Sequence, residues 1–219
     1  MNTMSFPINI SPSIGSVSAE YIIPENSICV LTLAHGAGAG MNHVFMVSLA
    51  QSLAELSIAT LRFNFPFAEN KKGRPDVPAV AHKTIEAAID KAHELLPSLP
   101  LFVAGKSFGG RMSSQHLALQ KQVAVQGIIF YGFPLHPPRK PAVERADHLK
   151  DVTVPMLFLQ GTRDELATLS LIESVCLSLP LATLVKIDGA DHAFKAGKKN
   201  ILSLLANESR DWIETIIKA

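Results

Sequence analysis

The fold is decided by the stretch LFVAGKSFGG, residues 101–110. An apolar run that is typical of a buried strand leads directly into G-K-S-F-G, which matches the pattern G-x-S-x-G, and residues spaced for a helix follow. On such a sharp strand-to-helix turn, Ser107 is held clear of the backbone, so its hydroxyl is accessible to a substrate. Glycines flank the serine because a Cβ at those positions would collide with the neighbouring strand and helix. The pattern therefore predicts a nucleophilic serine.

An aspartate and then a histidine follow Ser107, each at the end of a later predicted strand. Asp164 stands in GTRDE, residues 161–165, and His192 stands in GADHAF, residues 189–194. A serine hydroxyl needs a base within hydrogen-bond reach, and a histidine base needs a carboxylate that fixes its tautomer. The chain order serine, aspartate, histidine is the order found in triads built on this type of turn. We therefore predict a catalytic triad of these residues.

Two other carboxylates could hold the histidine. Glu165 is the alternative to Asp164, which we prefer because the first carboxylate after a strand–glycine turn usually has this role. Asp191 is adjacent to His192 in the chain, so its side chain should point away from the ring and cap the loop. The alternative is that Ser107, Asp164 and His192 are unrelated loop residues. It is disfavoured because each of the three lies at the C-terminal end of a predicted strand.

The glycine-rich stretch HGAGAG, residues 35–40, follows the first strong predicted strand. A tetrahedral intermediate carries an oxyanion, which needs preorganised N–H donors. We predict the backbone amide of Phe108 as one donor and that of Ala37 as the other, with Gly38 in reserve. A dinucleotide cradle is excluded by spacing, because Met41 occupies the third glycine position of G-x-G-x-x-G.

Two histidines, His35 and His43, flank this loop and suggest a metal site as an alternative. We prefer an interpretation in which His35 orders the loop and His43 lies near a helix start. The remaining histidines show no metal-ligand spacing, and we expect most of them at the surface: His82, His93, His116, His136 and His148. Neither a metal nor another cofactor is expected.

Strand-like apolar runs alternate with helix-like segments along the chain. The predicted strands cover residues 28–33, 59–63, 101–104, 125–130, 156–160 and 182–187, and the predicted helices cover 44–56, 80–96, 166–179 and 201–217. Most of these strands are continuously apolar, as in parallel strands that are buried on both faces. The pattern predicts an α/β fold in one domain over residues 1–219, with a mostly parallel central sheet, helices on both faces and no large cap domain.

Two irregular segments, residues 65–77 and 133–150, follow predicted strands at the edge where ligands bind in open α/β sheets. Their aromatic and proline content suits a small apolar acyl group rather than a highly charged substrate. From this part of the chain and the glycine-rich loop we expect four substrate contacts: His35, Phe65, Phe133 and Pro134.

Composition excludes several classes of partner. The net charge is +1, from 20 basic and 19 acidic side chains, which lacks the charge signature of a nucleic-acid binder. No apolar stretch approaches the roughly 20 residues that span a bilayer, and no secretory signal is visible at the N-terminus. Cys29 and Cys176 stand among apolar residues and are expected in the core rather than in a disulfide. We therefore expect a cytoplasmic protein whose partner is a small-molecule acyl substrate.

Taken together, these motifs resemble the small, cap-less α/β-hydrolases of the KAN type, often described as dienelactone-hydrolase-like. The matching pieces extend over nearly the whole chain: residues 35–40, 62–67, 73–75, 105–111, 131–138, 161–164 and 191–192. The resemblance implies an α/β-hydrolase fold, the triad Ser107, Asp164 and His192, and no cofactor. Dienelactone hydrolases carry a cysteine nucleophile where this chain has Ser107, so a dienelactone substrate is not implied.

Three functions follow from these expectations. The first is a serine esterase or related acyl hydrolase acting through an acyl-enzyme, with short-chain carboxylic esters preferred and thioesters or peptides as alternatives. The second is a catalytically idle interaction or scaffold protein that docks through residues 133–150, because the family resembled includes proteins with scaffolding roles in chromatin complexes. The third is a cofactor-free perhydrolase, which uses the same residues.

Overall fold

The computed structural model describes residues 2–120, 124–197 and 200–218. Strands alternate with helices over most of this length. The strands are β1 (Asn2–Ser11), β2 (Gly15–Ile23), β3 (Cys29–Ala34), β4 (Ile58–Phe63), β5 (Leu101–Lys106), β6 (Gly127–Tyr131), β7 (Met156–Gly161) and β8 (Ala182–Ile187). The helices are α1 (Val44–Glu55), α2 (Pro66–Glu69), α3 (Pro78–Leu95), α4 (Phe108–Leu119), α5 (Leu169–Leu177) and α6 (Ile201–Ile217), with a 3-10 helix at Glu144–Asp151.

The strands form one sheet in the order β1-β2-β4-β3-β5-β6-β7-β8. All neighbours from β4 through β8 pair in parallel, while β2 is antiparallel to both β1 and β4. The carboxyl ends of β5, β7 and β8 therefore lie at the same edge of the sheet. The predicted α/β fold with a mostly parallel sheet is confirmed, and no large cap domain occurs in the described ranges. We keep a single domain over residues 1–219 as a proposal, since one sheet takes strands from both ends of the chain.

Helices cover both faces of the sheet and enclose two separate apolar cores. Helices α1 and α6 cover one face, and α3, α4 and α5 cover the other. Successive strand residues point to opposite faces, so Phe102 of β5 belongs to the core under α1 and α6, whereas Val103 belongs to the opposite core. A strand buried on both faces needs apolar residues at every position, which explains the continuous apolar runs in the sequence.

An N-terminal hairpin, formed by β1 and β2, is absent from the strands predicted from sequence. Over residues 17–21 of β2 the buried Val17, Ala19 and Tyr21 alternate with more exposed residues, and in β1 only Ile8 is buried. A hairpin at the edge of a sheet has one face toward solvent, so its apolar residues occur at every second position rather than in a run. The irregular segments also contain short helices, α2 in residues 65–77 and the 3-10 helix in residues 133–150.

The two cysteines lie in different cores. Cys29 is buried under α1 and α6, and Cys176 is buried on the opposite face of the sheet, so the sheet separates the two thiols. Burial raises the pKa of each thiol to about 12, which leaves both protonated at neutral pH. In the part of the chain that the structure describes, no helix has the length and apolarity needed to cross a membrane.

Candidate active site

The predicted nucleophile turn joins β5 to α4. Ser107 has φ 50° and ψ −113°, a backbone conformation that is disfavoured for a residue with a side chain. Two glycines make this turn possible. A Cβ on Gly105 would overlap the backbone of Gly110, and a Cβ on Gly109 would lie 2.5 Å from the carbonyl oxygen of Ala34. The glycines of G-x-S-x-G are therefore required by steric contact with the helix and with the neighbouring strand.

A continuous path of hydrogen bonds connects the serine to a buried carboxylate. His192 Nε2 lies 2.8 Å from Ser107 Oγ, and His192 Nδ1 lies 2.7 Å from Asp164 Oδ2. With the Asp164 carboxylate accepting, Nδ1 carries the ring proton and donates it. Nε2 is then the unprotonated nitrogen, and it accepts the hydrogen bond from the serine hydroxyl. This arrangement can receive a proton from Ser107.

The carboxylate of Asp164 is fixed by further donors. Its side chain is 1% exposed. Gln160 Nε2 donates to Oδ2 at 2.6 Å, and the backbone N–H of Leu166 donates to Oδ1 at 2.8 Å. Gln160 is in turn oriented by the N–H of Phe133, which donates to its Oε1 at 2.9 Å. Sequence reasoning missed Gln160, because a glutamine inside an apolar strand has no motif that marks it.

The structure distinguishes between the three neighbouring carboxylates. Asp164 contacts the His192 ring, whereas Glu165 is exposed to solvent. Asp191 Oδ1 accepts the backbone N–H of Lys195 at 2.8 Å, so the predicted loop-capping contact is present. The geometry favours Asp164 as the residue that orients the histidine.

The two predicted oxyanion donors lie beside the nucleophile. Phe108 is the first residue of α4, and the amides of a helix's first turn have no partner within the helix. The glycine-rich loop approaches from the other side, since a Cβ on Gly36 would lie 3.7 Å from Ser107 Cβ. Ala37 lines both clefts that open at Ser107, whereas Gly38 lines only one of these two. Ala37 and Phe108 remain the predicted donors, with Gly38 in reserve.

His35 supports this loop and is not among the described residues that line the clefts at Ser107. Its Nδ1–H donates to the carbonyl of Gly36 at 2.8 Å, and its Nε2 accepts the N–H of Phe65 at 3.0 Å. Burial lowers the pKa of His35 to about 4, so the ring is neutral at pH 7. Both ring nitrogens are therefore used within the protein, in agreement with a loop-ordering role and not with metal binding.

Three of the four expected substrate contacts are wrong as direct contacts. His35 and Phe65 are 0% exposed and Phe133 is 1% exposed, and none of them lines the clefts at Ser107. The aromatic rings pack edge to face beneath the nucleophile turn, with ring centres 5.1 Å apart for His35 and Phe65 and 5.3 Å apart for Phe65 and Phe108. Only Pro134 lines a cleft.

Two side chains also fix Met41, the residue that follows the glycine-rich loop. Arg62 Nη1 donates to the carbonyl of Met41 at 2.7 Å, and Asn64 Oδ1 accepts the N–H of Met41 at 2.8 Å. Arg62 is 1% exposed and forms an ion pair with Glu20 of β2. The backbone N–H and C=O of Met41 are thereby both fixed by side chains at the end of β4.

Lys106, immediately before the nucleophile, contacts the loop that carries the histidine. Its Nζ donates to the backbone carbonyl of His192 at 2.6 Å and lies 5.2 Å from the ring centre of Phe194. Burial lowers the pKa of this amine to about 8, while the charges of Asp164 and Asp191 act in the opposite direction. Lys106 thus connects the strand of the nucleophile to the loop of the base.

Two clefts open at Ser107, and both also contact Ala37 and Leu166. The first cleft has a volume of about 380 Å³ and is lined by His192 and by apolar side chains that include Phe45, Met46 and Ala193. The second cleft has a volume of about 450 Å³ and is lined on its far side by Asp76, Arg111, Pro134 and Arg145.

Two other histidines contact backbone N–H groups at the starts of helices. His43 caps α1, accepting the N–H of Phe45 on Nδ1 at 3.3 Å. The expectation of surface positions is wrong for His116 and His136, which are 4% and 2% exposed. His136 accepts the N–H of Thr168 at 2.9 Å, which fixes the start of α5. The described ranges contain no group of three or more His, Cys, Asp or Glu side chains placed to hold a metal ion.

Comparison with known proteins identifies the family and the fold. Residues 27–216 match the model of the family described as Alpha/beta hydrolase domain. A serine hydrolase homologue from Coxiella burnetii is 24% identical with a TM-score of 0.78, covering 95% of this chain and 98% of that one. A dienelactone hydrolase from Anabaena variabilis is 19% identical with a TM-score of 0.77, covering 98% and 99%. Est1E from Butyrivibrio proteoclasticus, with ferulic acid bound, is 18% identical with a TM-score of 0.77, covering 98% and 100%. At these identities the solved structures show a shared fold.

Proposed function

We propose that this chain, which belongs to the α/β-hydrolase domain family, is a serine hydrolase that cleaves small carboxylic esters through an acyl-enzyme intermediate. The observation that carries the proposal is the hydrogen-bond path from Asp164 through His192 to Ser107, with contacts of 2.7 and 2.8 Å. A path of this geometry supplies both a nucleophile and the base that activates it.

In the first step, Ser107 Oγ attacks the ester carbonyl carbon while its proton moves to His192 Nε2. The imidazolium that forms is stabilised by the carboxylate of Asp164, which stays ionised. Negative charge develops on the carbonyl oxygen, where the backbone amides of Phe108 and Ala37 can donate to it. The fixed backbone of the nucleophile turn and of the glycine-rich loop supports this role of the two amides, because it holds the amides of Phe108 and Ala37 in place before the substrate binds.

In the second step, the intermediate collapses and the bond to the leaving alcohol breaks as His192 Nε2 returns its proton to that oxygen. A water molecule then attacks the acyl-enzyme and gives a proton to His192 Nε2. The bond between the acyl carbon and Ser107 Oγ breaks as Nε2 passes that proton to Oγ, and the carboxylic acid leaves. Every proton is returned, so the free enzyme is restored. A thioester would follow the same steps with a thiol as the leaving group.

Small esters suit the two open clefts. Within the described residues no lid covers Ser107, and the nearby walls of the first cleft are short or apolar side chains such as Ala193 and Met46. A long lipid chain would find no extended apolar channel in such a cleft. We propose a cytoplasmic location. Both cysteines are free thiols on opposite faces of the sheet, and free thiols are typical of a reducing compartment.

The test compares hydrolysis of p-nitrophenyl acetate and butyrate by the parent chain with that of two variants. Ser107→Ala should lose activity by a factor on the order of a thousand or more. Ser170→Ala is the matched control, since Ser170 is an exposed serine on α5, and it should retain the parent rate. A phosphonate probe should label the parent at Ser107 only. Equal rates in the parent and Ser107→Ala, together with no phosphonate label, would overturn the proposal.

A further inference from the structure

The second cleft places two arginines close to the proposed nucleophile. Arg111 lies four residues after Ser107, and its backbone N–H donates to the Ser107 carbonyl at 3.0 Å. This separation is about one helical turn, or about 6 Å along the helix axis, and both residues line the second cleft. Arg145, from the 3-10 helix, lines the same cleft.

Neither guanidinium is within ion-pair distance of a carboxylate in the part of the chain that the structure describes. Arg145 donates one hydrogen bond, to the carbonyl of Pro134 at 3.3 Å. Burial lowers the pKa of Arg111, and the nearby charge of Arg145 lowers it further. Two like charges held together without a partner are a favourable place for an anion.

The acidic groups near the cleft offset only part of this charge. Asp76 is the one acidic residue among those that line it, and its Oδ2 already accepts the N–H of Phe67 at 2.9 Å. The acidic side chains of the 3-10 helix, Glu144, Asp147 and Asp151, are exposed to solvent. The cleft therefore has two positive charges against one negative charge.

The position of His192 decides which part of an ester would occupy this cleft. His192 lines the first cleft and is not among the residues that line the second. The leaving oxygen must receive its proton from His192 Nε2, so the leaving alcohol lies toward the first cleft. The acyl chain, on the opposite side of Ser107, then extends into the second cleft toward Arg111.

We propose that the second cleft is an anion subsite, in which Arg111 and Arg145 bind a carboxylate or phosphate group at the far end of the substrate's acyl chain. This inference rests on the proposed function, which it narrows to monoesters of dicarboxylic acids and to esters of phosphate-bearing acids. It replaces the expectation of an uncharged acyl group. Guanidinium groups match both anions, because each presents paired N–H donors to paired oxygens.

The kinetic test uses p-nitrophenyl monoesters of succinic, adipic and suberic acid and a p-nitrophenyl ester of a phosphate-bearing acid. Each is compared with its neutral counterpart, in which methyl esters mask the free carboxylate or phosphate. The parent should prefer one anionic series over its neutral counterpart by about tenfold or more in kcat/KM. The series that is preferred identifies carboxylate or phosphate as the bound group. Arg111→Gln and Arg145→Gln should each remove most of this preference, by raising KM for the anionic ester more than KM for its neutral counterpart. Lys83→Gln, which removes an exposed positive charge from α3, should leave the preference intact.

A binding test does not depend on turnover. Adipate and inorganic phosphate are titrated calorimetrically into Ser107→Ala, and into the same variant that also carries Arg111→Gln or Arg145→Gln, with folding checked by thermal unfolding. Saturable binding that either arginine change abolishes supports the subsite even if no ester is hydrolysed. Hydrolysis of neutral esters without any anionic preference, or the absence of anion binding, overturns the subsite, and the first of these results leaves the proposed function standing.

Discussion

Acid should destabilise this protein partly through His35, and the size of the effect can be worked out from the structure. The ring is 0% exposed and its pKa in the folded protein is about 4, below the ordinary value of 6.5. Between these two values the unfolded chain binds a proton that the folded protein does not bind. Stability contributed by neutral His35 is therefore present at neutral pH and is lost as the pH falls below 6.5. Linkage gives a loss of about 2 kcal/mol in the free energy of unfolding between about pH 7 and pH 5 for this one group.

Protonation also has a specific structural cost. In the folded protein His35 Nε2 accepts the N–H of Phe65. A protonated ring has no free acceptor nitrogen, so this N–H would lose its partner while it remains buried. The glycine-rich loop is held by His35 on one side and by Arg62 and Asn64 at Met41 on the other. By removing the contact between His35 and Phe65, protonation would weaken the first of these supports and so affect the loop that carries the predicted oxyanion donor Ala37.

The assay is urea unfolding followed by Trp212 fluorescence at a series of pH values. His35→Gln is the informative variant: it should be less stable than the parent at pH 7, by about 1–3 kcal/mol, because it cannot reproduce both hydrogen bonds. Between about pH 7 and pH 5 it should lose about 2 kcal/mol less than the parent. His116 and His148 also have pKa values lowered to about 4 by burial, but they contribute equally to parent and variant.

The control is His93→Gln, because His93 is an exposed histidine on α3. Its stability should follow the parent curve at every pH. The reasoning is refuted if His35→Gln and the parent lose the same free energy of unfolding over this range.

Two further changes test the geometry of the site. Gly109→Ala should cost more than about 2 kcal/mol of stability in urea unfolding, since the new Cβ would lie 2.5 Å from the Ala34 carbonyl oxygen. Gly73→Ala, which has open space at its Cβ, is the control and should stay near the parent, and equal stability of the two variants would contradict the steric argument. Lys106→Met removes the 2.6 Å hydrogen bond to the His192 carbonyl and should lower kcat on p-nitrophenyl butyrate about tenfold. An unchanged kcat would show that the position of the base does not depend on this contact.

The central sheet and the nucleophile turn could be predicted because each has a local cause. Strand β5 is buried on both faces, which requires a continuous apolar run, and the turn that follows needs glycines at positions that steric contact determines. Asp164 and His192 could be found in the same way, because each follows a predicted strand in a fixed chain order. In all these cases the signal lies within a few consecutive residues.

The supporting contacts could not be predicted, because they join residues far apart in the chain. Gln160 contacts both Asp164 and the N–H of Phe133, and Arg62 contacts Met41. Nothing in a single segment shows that a polar side chain in an apolar strand will have such partners. The expected substrate contacts failed for a related reason. Residues after a strand were expected to face the ligand, but Phe65 turns beneath the loop.

The N-terminal hairpin supports the candidate site although it lies outside the part of the chain that the family model matches. The family match covers residues 27–216, so β1 and β2 lie outside it. Yet Glu20 of β2 neutralises the buried guanidinium of Arg62, and Arg62 holds the carbonyl of Met41. A chain trimmed to the matched residues would lose both this ion pair and the strand that pairs with β4 beside Arg62. The buried surroundings of Met41 therefore depend on a strand pair that lies outside the residues matched by the family model.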